Sequence, residues 1–526
     1  METNLKLRIN IRLGIVISYL TILAGIVVTI LYTPFMIKSV GVVEHGIYSF
    51  VSSIVSWFSI LTVGIAGAYV RFATKYNTEQ GETGVGKLNS AFSYVLFFGA
   101  IIGIIFGIVT FILLFWNLIP LNAYSTYEKN LIFQLLLVGI VHMLFSFVLM
   151  FFNAFNTYKN KFIIVRGIAL LVVVVTPIIT VPFLLNGFNV LIVSLVKFAV
   201  DIFALILYFL LTFFQKNKLQ FIKISDTYEK KIIIKEIVYF CVFIMLYVTI
   251  DTINKSSDKL VLGFFGLPQM VSIYGLGRAF LEYAYLATVY ISANYIQIIN
   301  QKIIENRKEE INFLFLKLSN VALLLMVFIF GGFLVTGDIF VSSWLANSAY
   351  TQLEMKQIYW VALTLIFINI VPFSQVSAIE IQRGYNKHLR PTIILLITAL
   401  TNILLTILLI LIMPRENAVW ACLISTTITT VVSQWFILNI YYQKELFLDI
   451  KKYYSSFAKK VIIALFPIVI TYSLFKLTNL EILMNGWIAF LVEGLCYTSM
   501  FGISLFIFER KTVASYLAKI NKKRFR

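Results

Sequence analysis

The chain has 526 residues, 60% of them hydrophobic and only 13% charged, about half the charged share of a soluble protein. With a mean hydropathy of +0.92 it cannot supply the charged shell of a water-soluble domain, which excludes an ordinary cytosolic enzyme, a secreted domain and a disordered chain. The formal net charge of +19 would also suit a nucleic-acid binder, so its meaning depends on where the cations lie.

A bilayer-crossing helix needs about 20 mainly apolar residues. Fourteen such stretches follow one another: 13–36, 46–70, 90–116, 130–156, 162–184, 188–214, 234–262, 269–299, 311–345, 356–382, 391–413, 417–441, 459–476 and 482–508. The first is too long for a cleavable signal, and no small-residue cleavage site follows it. Continuous runs, rather than alternating segments of about ten residues, exclude a β-barrel. Cys241, Cys422 and Cys496 lie far apart in apolar runs, so they read as small buried hydrophobes and not as a metal or disulfide frame.

If the N-terminus is cytoplasmic, 34 of the 43 Lys and Arg residues fall in the inner loops and tail and five in the outer loops. This asymmetry fixes an N-in, C-in orientation and accounts for the net charge without nucleic acid. The basic tail, ending Lys522-Lys523-Arg524-Phe525-Arg526, suits anionic lipid headgroups. Two longer polar connections, about 215–233 and 442–458, divide the spans into six, six and two. The expected domains are therefore an N-terminal six-helix lobe over 1–214, a cytoplasmic linker over 215–233, a second six-helix lobe over 234–441, and two extra spans with a basic tail over 442–526. The linker suits an interfacial amphipathic helix or a solvated loop equally well. Gly41-Val-Val-Glu-His-Gly-Ile-Tyr48 opens span two, and Gly266-Leu-Pro-Gln-Met-Val-Ser-Ile-Tyr274 opens span eight. That weak echo, with equal span counts, predicts a parallel repeat about an axis along the membrane normal. The fold class is thus an all-α polytopic membrane protein of about 14 helices.

Ionisable groups inside spans are costly and mark pathways or polar cavities. Spans one to five are clear of them except at their ends and at His142, a lone imidazole that reads more readily as a hydrogen-bonded core residue than as a proton relay. Span six carries Lys197 and Asp201 at i, i+4. Span seven reads Asp251-Thr-Ile-Asn-Lys255-Ser-Ser-Asp258-Lys259, with its charges on one helical face. Span eight carries Arg278 and Glu282, again at i, i+4. Such pairs either line a cavity or neutralise one another between helices; four charges in span seven exceed what helix adhesion needs. Asp258 and Lys259 also lie near the outer end, within snorkelling reach of the interface. Glu380 with Arg383 and the isolated Glu493 read as end-of-helix and contact charges. Gly99, Gly103 and Gly107 form overlapping small-residue repeats suited to close helix packing.

Enzyme signatures do not occur: there is no Gly-rich phosphate loop ending in Lys-Ser/Thr, no His-Glu-x-x-His and no Gly-x-Ser-x-Gly. The three histidines, 45, 142 and 388, are too scattered for a metal site. No cofactor, no metal and no nucleic-acid partner is expected.

The order Leu31-Tyr-Thr-Pro34, Gly41 to Ser49, Ile60-Leu-Thr-Val-Gly64-Ile-Ala-Gly67 and Val70-Arg71-Phe-Ala73, with Asp258-Lys-Leu-Val-Leu-Gly263-Phe-Phe-Gly266 running into Ile273-Tyr274, resembles the Wzx-type oligosaccharide flippases. These form the polysaccharide branch of the MOP superfamily, which also holds the MATE drug exporters and the lipid II flippases. The resemblance implies two helical lobes around a cationic cavity and alternating access. It also implies transfer of an undecaprenyl-pyrophosphate-linked oligosaccharide across a bacterial plasma membrane, with polymerase machinery as a further partner. A pyrophosphate needs positive charge in a low-dielectric cavity, which Lys255, Lys259, Arg278 and Lys197 can provide. Asp251, Asp258, Asp201 and Glu282 are then charge partners or sites of H⁺ or Na⁺ coupling. Tyr274 and Tyr283 are candidate sugar contacts, packing being the other reading. Lipid II flippases carry arginines inside the first two spans; here those spans have basic residues only at their ends, which disfavours a peptidoglycan precursor. A MATE-type multidrug or cation antiporter is the alternative, though spans one to five lack the embedded carboxylates that chemistry uses. A membrane scaffold is the third.

Overall fold

The computed structural model describes residues 2–115, 123–214, 220–224, 226–293, 295–387, 389–478 and 485–509. The basic tail from 510 onward, Lys216, Lys218 and His388 lie outside these residues, as do the side chains of Asp251 and of 1–12. The regular structure of the described chain is helical: α1 Glu2–Phe115, α2 Thr126–Tyr158, α3 Phe162–Leu185, α4 Leu191–Phe213, α5 Thr227–Phe264, α6 Pro268–Ala293, α7 Ile296–Ile304, α8 Lys308–Leu345, α9 Gln352–Ile368, α10 Ile370–Ser374, α11 Val376–Gly384, α12 Leu389–Ile412, α13 Ala418–Thr430, α14 Leu438–Glu445, α15 Ile450–Thr478 and α16 Gly486–Phe508. A π-helical segment, Val431–Ile437, joins α13 to α14.

The described residues of the fourteen expected stretches are largely helical. Spans one to three run together in α1, divided where Gly41 (φ 83°) and Gly81 (φ 68°) leave helical backbone. Both sit in the left-handed region that glycine enters without a Cβ penalty. Among the described residues, ten helices are long and apolar enough to cross a membrane by length and composition alone. Span ten is cut into α9, α10 and α11 at Asn369 and Gln375 around Pro372. Local chemistry fixes several starts. Ser125 with Glu128, and Thr351 with Glu354, close complete capping boxes, and Asp226 accepts the Tyr228 N–H to begin α5.

On α12 the polar residues face inward and the apolar ones outward. α12 buries Thr398, Asn402 and Thr406, while Ile397, Leu400, Leu404 and Leu411 on its other side are exposed, Leu411 at 71%. Such a surface is stable only against hydrocarbon, so the chain is a multi-pass membrane protein. Lipid is as apolar as leucine, so packing shape and interhelical hydrogen bonds must hold the helices together. Gly107 lets Ile140 approach and Gly139 admits Val55, consistent with the small-residue repeat of span three. Asn156, fully buried, donates to Thr212 Oγ1 (2.9 Å) across α2 and α4.

The chain packs into two compact units. The first comprises 1–272 with 347–349, and the second comprises 273–346 with 350–526. In the first, α1 packs on α2, α3 and α5, and α2 on α4. The linker docks on α1: 220–224 is not helical, Ile222 N–H donates to Gly86 O (3.0 Å), and Asn89 donates to Gln220 O (2.8 Å). Lys87–Glu229 (2.6 Å), Lys75–Glu236 (3.0 Å) and Lys230 over the Tyr94 ring tie α5 to α1 beside it. This tie places α5 with the first unit. In the second unit α8 packs on α9, α15 and α16 around Phe315, Met326, Ile366, Tyr453 and Tyr497. Between α7 and α8, Gln301 and Lys302 hydrogen-bond the Glu305 carboxylate and hold its pKa below the ordinary value.

Candidate functional site

In the first unit, α1, α2 and α4 enclose a cavity of about 240 Å³ whose lining includes Tyr48, Ser52, Ser56, His142, Ser146 and Lys197. Hydroxyls on the lining spend their protons on the helix backbone: Ser56 donates to Ser53 O (2.7 Å) and Ser146 to His142 O (2.8 Å). Their oxygens remain able to accept. Asp201 does not pair with Lys197. Its Oδ2 lies 2.8 Å from His142 Nε2 on α2, both side chains about one-fifth exposed. Phe198 stands edge-on to the imidazole at 5.7 Å and restricts it. Lys197 is exposed on the cavity lining and, among the described residues, has neither an ion-pair nor a hydrogen-bond partner. His142 is therefore a hydrogen-bonded polar partner across helices.

The charged stretch of α5 also lies in the first unit. Asp258, Ser256 and Ser257 are buried, and Lys255 and Lys259 are half-buried. Trp57 Nε1 donates to Ser256 Oγ (2.7 Å), and Tyr124 Oη donates to Gly263 O (2.6 Å). Lys259 is close enough to His45 to act on it electrostatically. His45 Nδ1 in turn lies 2.5 Å from Ser272 Oγ. His45 thus joins the polar stretch through contacts that its position in the Gly41–Tyr48 motif did not signal. The Asp251 side chain lies outside the described residues.

Arg278, Glu282, Tyr274 and Tyr283 belong to the second unit. Arg278 is buried at 8% exposure, Tyr283 is half-buried and Glu282 is exposed, so the i, i+4 pair spans two different environments. Tyr274 is fully enclosed, so in this conformation its ring offers no face to a sugar. Glu380 and Arg383 form a local pair on α11 (2.8 Å), as an end-of-helix charge would. Two polar features of this unit were not singled out in the sequence. Asp338 interrupts the apolar run of α8 with a buried Oδ1 that accepts no hydrogen bond among the described residues. Asn402, Thr406 and Ser425 form a buried hydroxyl–amide cluster between α12 and α13. A lone Asp in span nine was the available signal for the first; scattered Asn, Thr and Ser give none for the second.

No model of a known protein family matches the chain, and no curated protein does. Solved structures do. A lipid II flippase, MurJ, in an inward closed conformation superposes with a TM-score of 0.70 at 15% identity, over 95% of this chain and 99% of that one. The chain shares the fold of this flippase. A multidrug resistance MATE family transporter in an inward-facing conformation gives a TM-score of 0.60 at 12% identity, over 84% of this chain and 99% of that one. A MOP superfamily transporter from Pyrococcus furiosus gives 0.51 at 11% identity, over 84% and 96%. All three neighbours are transporters or flippases.

Proposed function

We propose that this protein flips a polyprenyl-pyrophosphate-linked oligosaccharide from the inner to the outer leaflet of a bacterial plasma membrane, by alternating access and with both termini cytoplasmic. The observation that carries the reading is the extent of the fold match. The lipid II flippase is matched over 95% of this chain and the MATE transporters over 84%. The difference is about the size of the α15–α16 pair, which a drug antiporter of twelve spans does not need. Polar and cationic groups on the spans support the same reading. Lys197 faces a hydroxyl-lined cavity, and Lys255, Lys259 and Arg278 sit on α5 and α6, suited to a pyrophosphate. Asp251, Asp258, Asp201 and Glu282 act in this scheme as charge partners or as H⁺ or Na⁺ sites, and Tyr283 serves as a sugar contact. The lobes 1–214 and 234–441, joined through 215–233, would be the moving parts, with 442–526 added to the second. A surface-polysaccharide unit suits the chain better than a peptidoglycan precursor, because spans one and two carry cations only at their ends.

Deletion of the gene in its host is the test. Surface polysaccharide should disappear while lipid-linked oligosaccharide accumulates at the inner leaflet, and wild type should restore it where a Lys255→Ala, Arg278→Ala double variant at matched expression does not. Unchanged polymer with altered drug susceptibility would overturn this reading in favour of a MATE-type antiporter.

A further inference from the structure

We propose that His142, Asp201 and Lys197 form a proton-linked switch on the anion affinity of the first-unit cavity, tight when the imidazole is protonated and weak when it is neutral. This rests on the reading above only in taking the anion to be a phosphate-class group of the transported lipid. The geometry supplies two alternative partners for one carboxylate. Asp201 is held by His142 Nε2 at 2.8 Å from a neighbouring helix, and Lys197 lies one turn away on its own helix, where i, i+4 side chains meet. With His142 protonated, imidazolium and carboxylate satisfy each other, and the Lys197 ammonium faces the cavity uncompensated among the described residues. The site then carries one net positive charge, and an ammonium in a low-dielectric span needs an anion beside it. When the imidazolium releases its proton to solvent, the electrostatic hold on Asp201 falls. The carboxylate turns to Lys197, the remaining cation on the lining among the described residues, and the site becomes neutral.

Among the described residues that line the cavity, Lys197 is the one permanent cation and there is no carboxylate. Tyr48 faces it from α1, and Tyr208 of α4 lies within electrostatic reach of both Asp201 and Arg166 of α3. Neither a phenol nor a guanidinium changes its charge near neutral pH, so neither supplies the pH dependence. The cavity of about 240 Å³ is large enough for a phosphate-class group, whose oxygens would accept from the Lys197 ammonium and from a serine hydroxyl that turned away from its helix carbonyl.

The test measures binding of a short-chain prenyl pyrophosphoryl monosaccharide, a diester whose own charge is constant across the range, to the purified full chain in detergent at about pH 5.5 and about pH 8.5, on either side of ordinary histidine titration. Wild type should bind about tenfold or more tightly at the acid pH, as the loss of one unit charge near a phosphate requires. H142Q should bind weakly at both pH values, and K197Q likewise. D201N should bind at alkaline pH as tightly as wild type does in acid, because Lys197 can no longer be neutralised; a merely structural role for Asp201 would weaken binding at both. Equal affinity of wild type at the two pH values, or a pH dependence that survives in H142Q, would overturn the switch while leaving the flippase reading intact. Absence of binding at both would overturn that reading as well. A parallel arm with short-chain phosphatidylglycerol separates the sources. The same His142-dependent linkage for that lipid and not for the pyrophosphate would assign the cavity to a bilayer headgroup and overturn its assignment to substrate.

Discussion

Gly46 offers the sharpest test of the packing. It lies in the second segment of α1, and a Cβ built on it would overlap the carbonyl oxygen and carbon of Pro268 at the start of α6. The obstacle is backbone, which cannot rotate out of the way, and α6 is anchored beside it by the His45–Ser272 contact. Overpacking of this kind costs roughly 1–3 kcal/mol. For a cooperative unit of this size that is a fall in Tm of about 2–5 °C. Gly502 is the internal control. It is exposed on α16 with nothing within 4 Å of an added Cβ, and Gly→Ala in an open helix gains about 0.5–1 kcal/mol. Gly46→Ala should therefore lower, and Gly502→Ala raise, the midpoint of thermal unfolding followed by intrinsic fluorescence in detergent. A Gly46→Ala midpoint at or above wild type would refute the contact, and with it the placement of the start of α6 against α1.

Other substitutions read other parts of the structure. Asn156→Leu removes three donated hydrogen bonds and leaves Thr212 at the α2–α4 contact; a loss of about 0.6–2 kcal/mol is expected, measured as Tm against a Thr212→Val single and the double variant, which should be less than additive. Reversing one member of Lys87–Glu229 should destabilise slightly, by under about 1 kcal/mol, and exchanging both should restore the midpoint, with the difference shrinking at high salt. Lys452 bonds hold the Asp449 carboxyl, at the start of α15, below the ordinary carboxylate range. A depressed pKa contributes stability above the unfolded value that is lost as pH falls through the folded one. Acidification below about pH 4 should therefore loosen the α15 N-terminus in hydrogen exchange, and Asp449→Asn should abolish that pH dependence; an unchanged profile would exclude the interaction.

The membrane architecture was legible because hydrocarbon thickness imposes a length that no other constraint mimics, and the described residues of the fourteen apolar stretches are largely helical. The points of difference share a cause. Spacing along a chain reports neighbours on the same helix, so Lys197 and Asp201 read as a pair; Asp201 instead meets His142, 59 positions earlier in the sequence, and no local pattern encodes a contact between helices. The linker at 215–233 was ambiguous between helix and loop because its lysines and apolar residues alternate loosely. Residues 220–224 are not helical and instead bond to Gly86 and Asn89. Span ten looked continuous, since nothing in Asn369 or Gln375 announces a break, yet Pro372 between them withholds a backbone donor and the helix is cut on both sides. Tyr274 looked available because aromatic residues near charged ones suit sugars; its complete burial depends on neighbours distant in sequence.

The central claim is transfer of a lipid-linked anionic sugar, and reconstitution measures it directly. Purified protein in proteoliposomes would be given a fluorescent undecaprenyl-pyrophosphoryl sugar, with outer-leaflet exposure read by a membrane-impermeant quencher. The account predicts protein-dependent transfer that Lys255→Ala with Arg278→Ala abolishes and that a cationic dye does not compete. Transfer no faster than in empty liposomes, alongside protein-dependent movement of the dye, would contradict it.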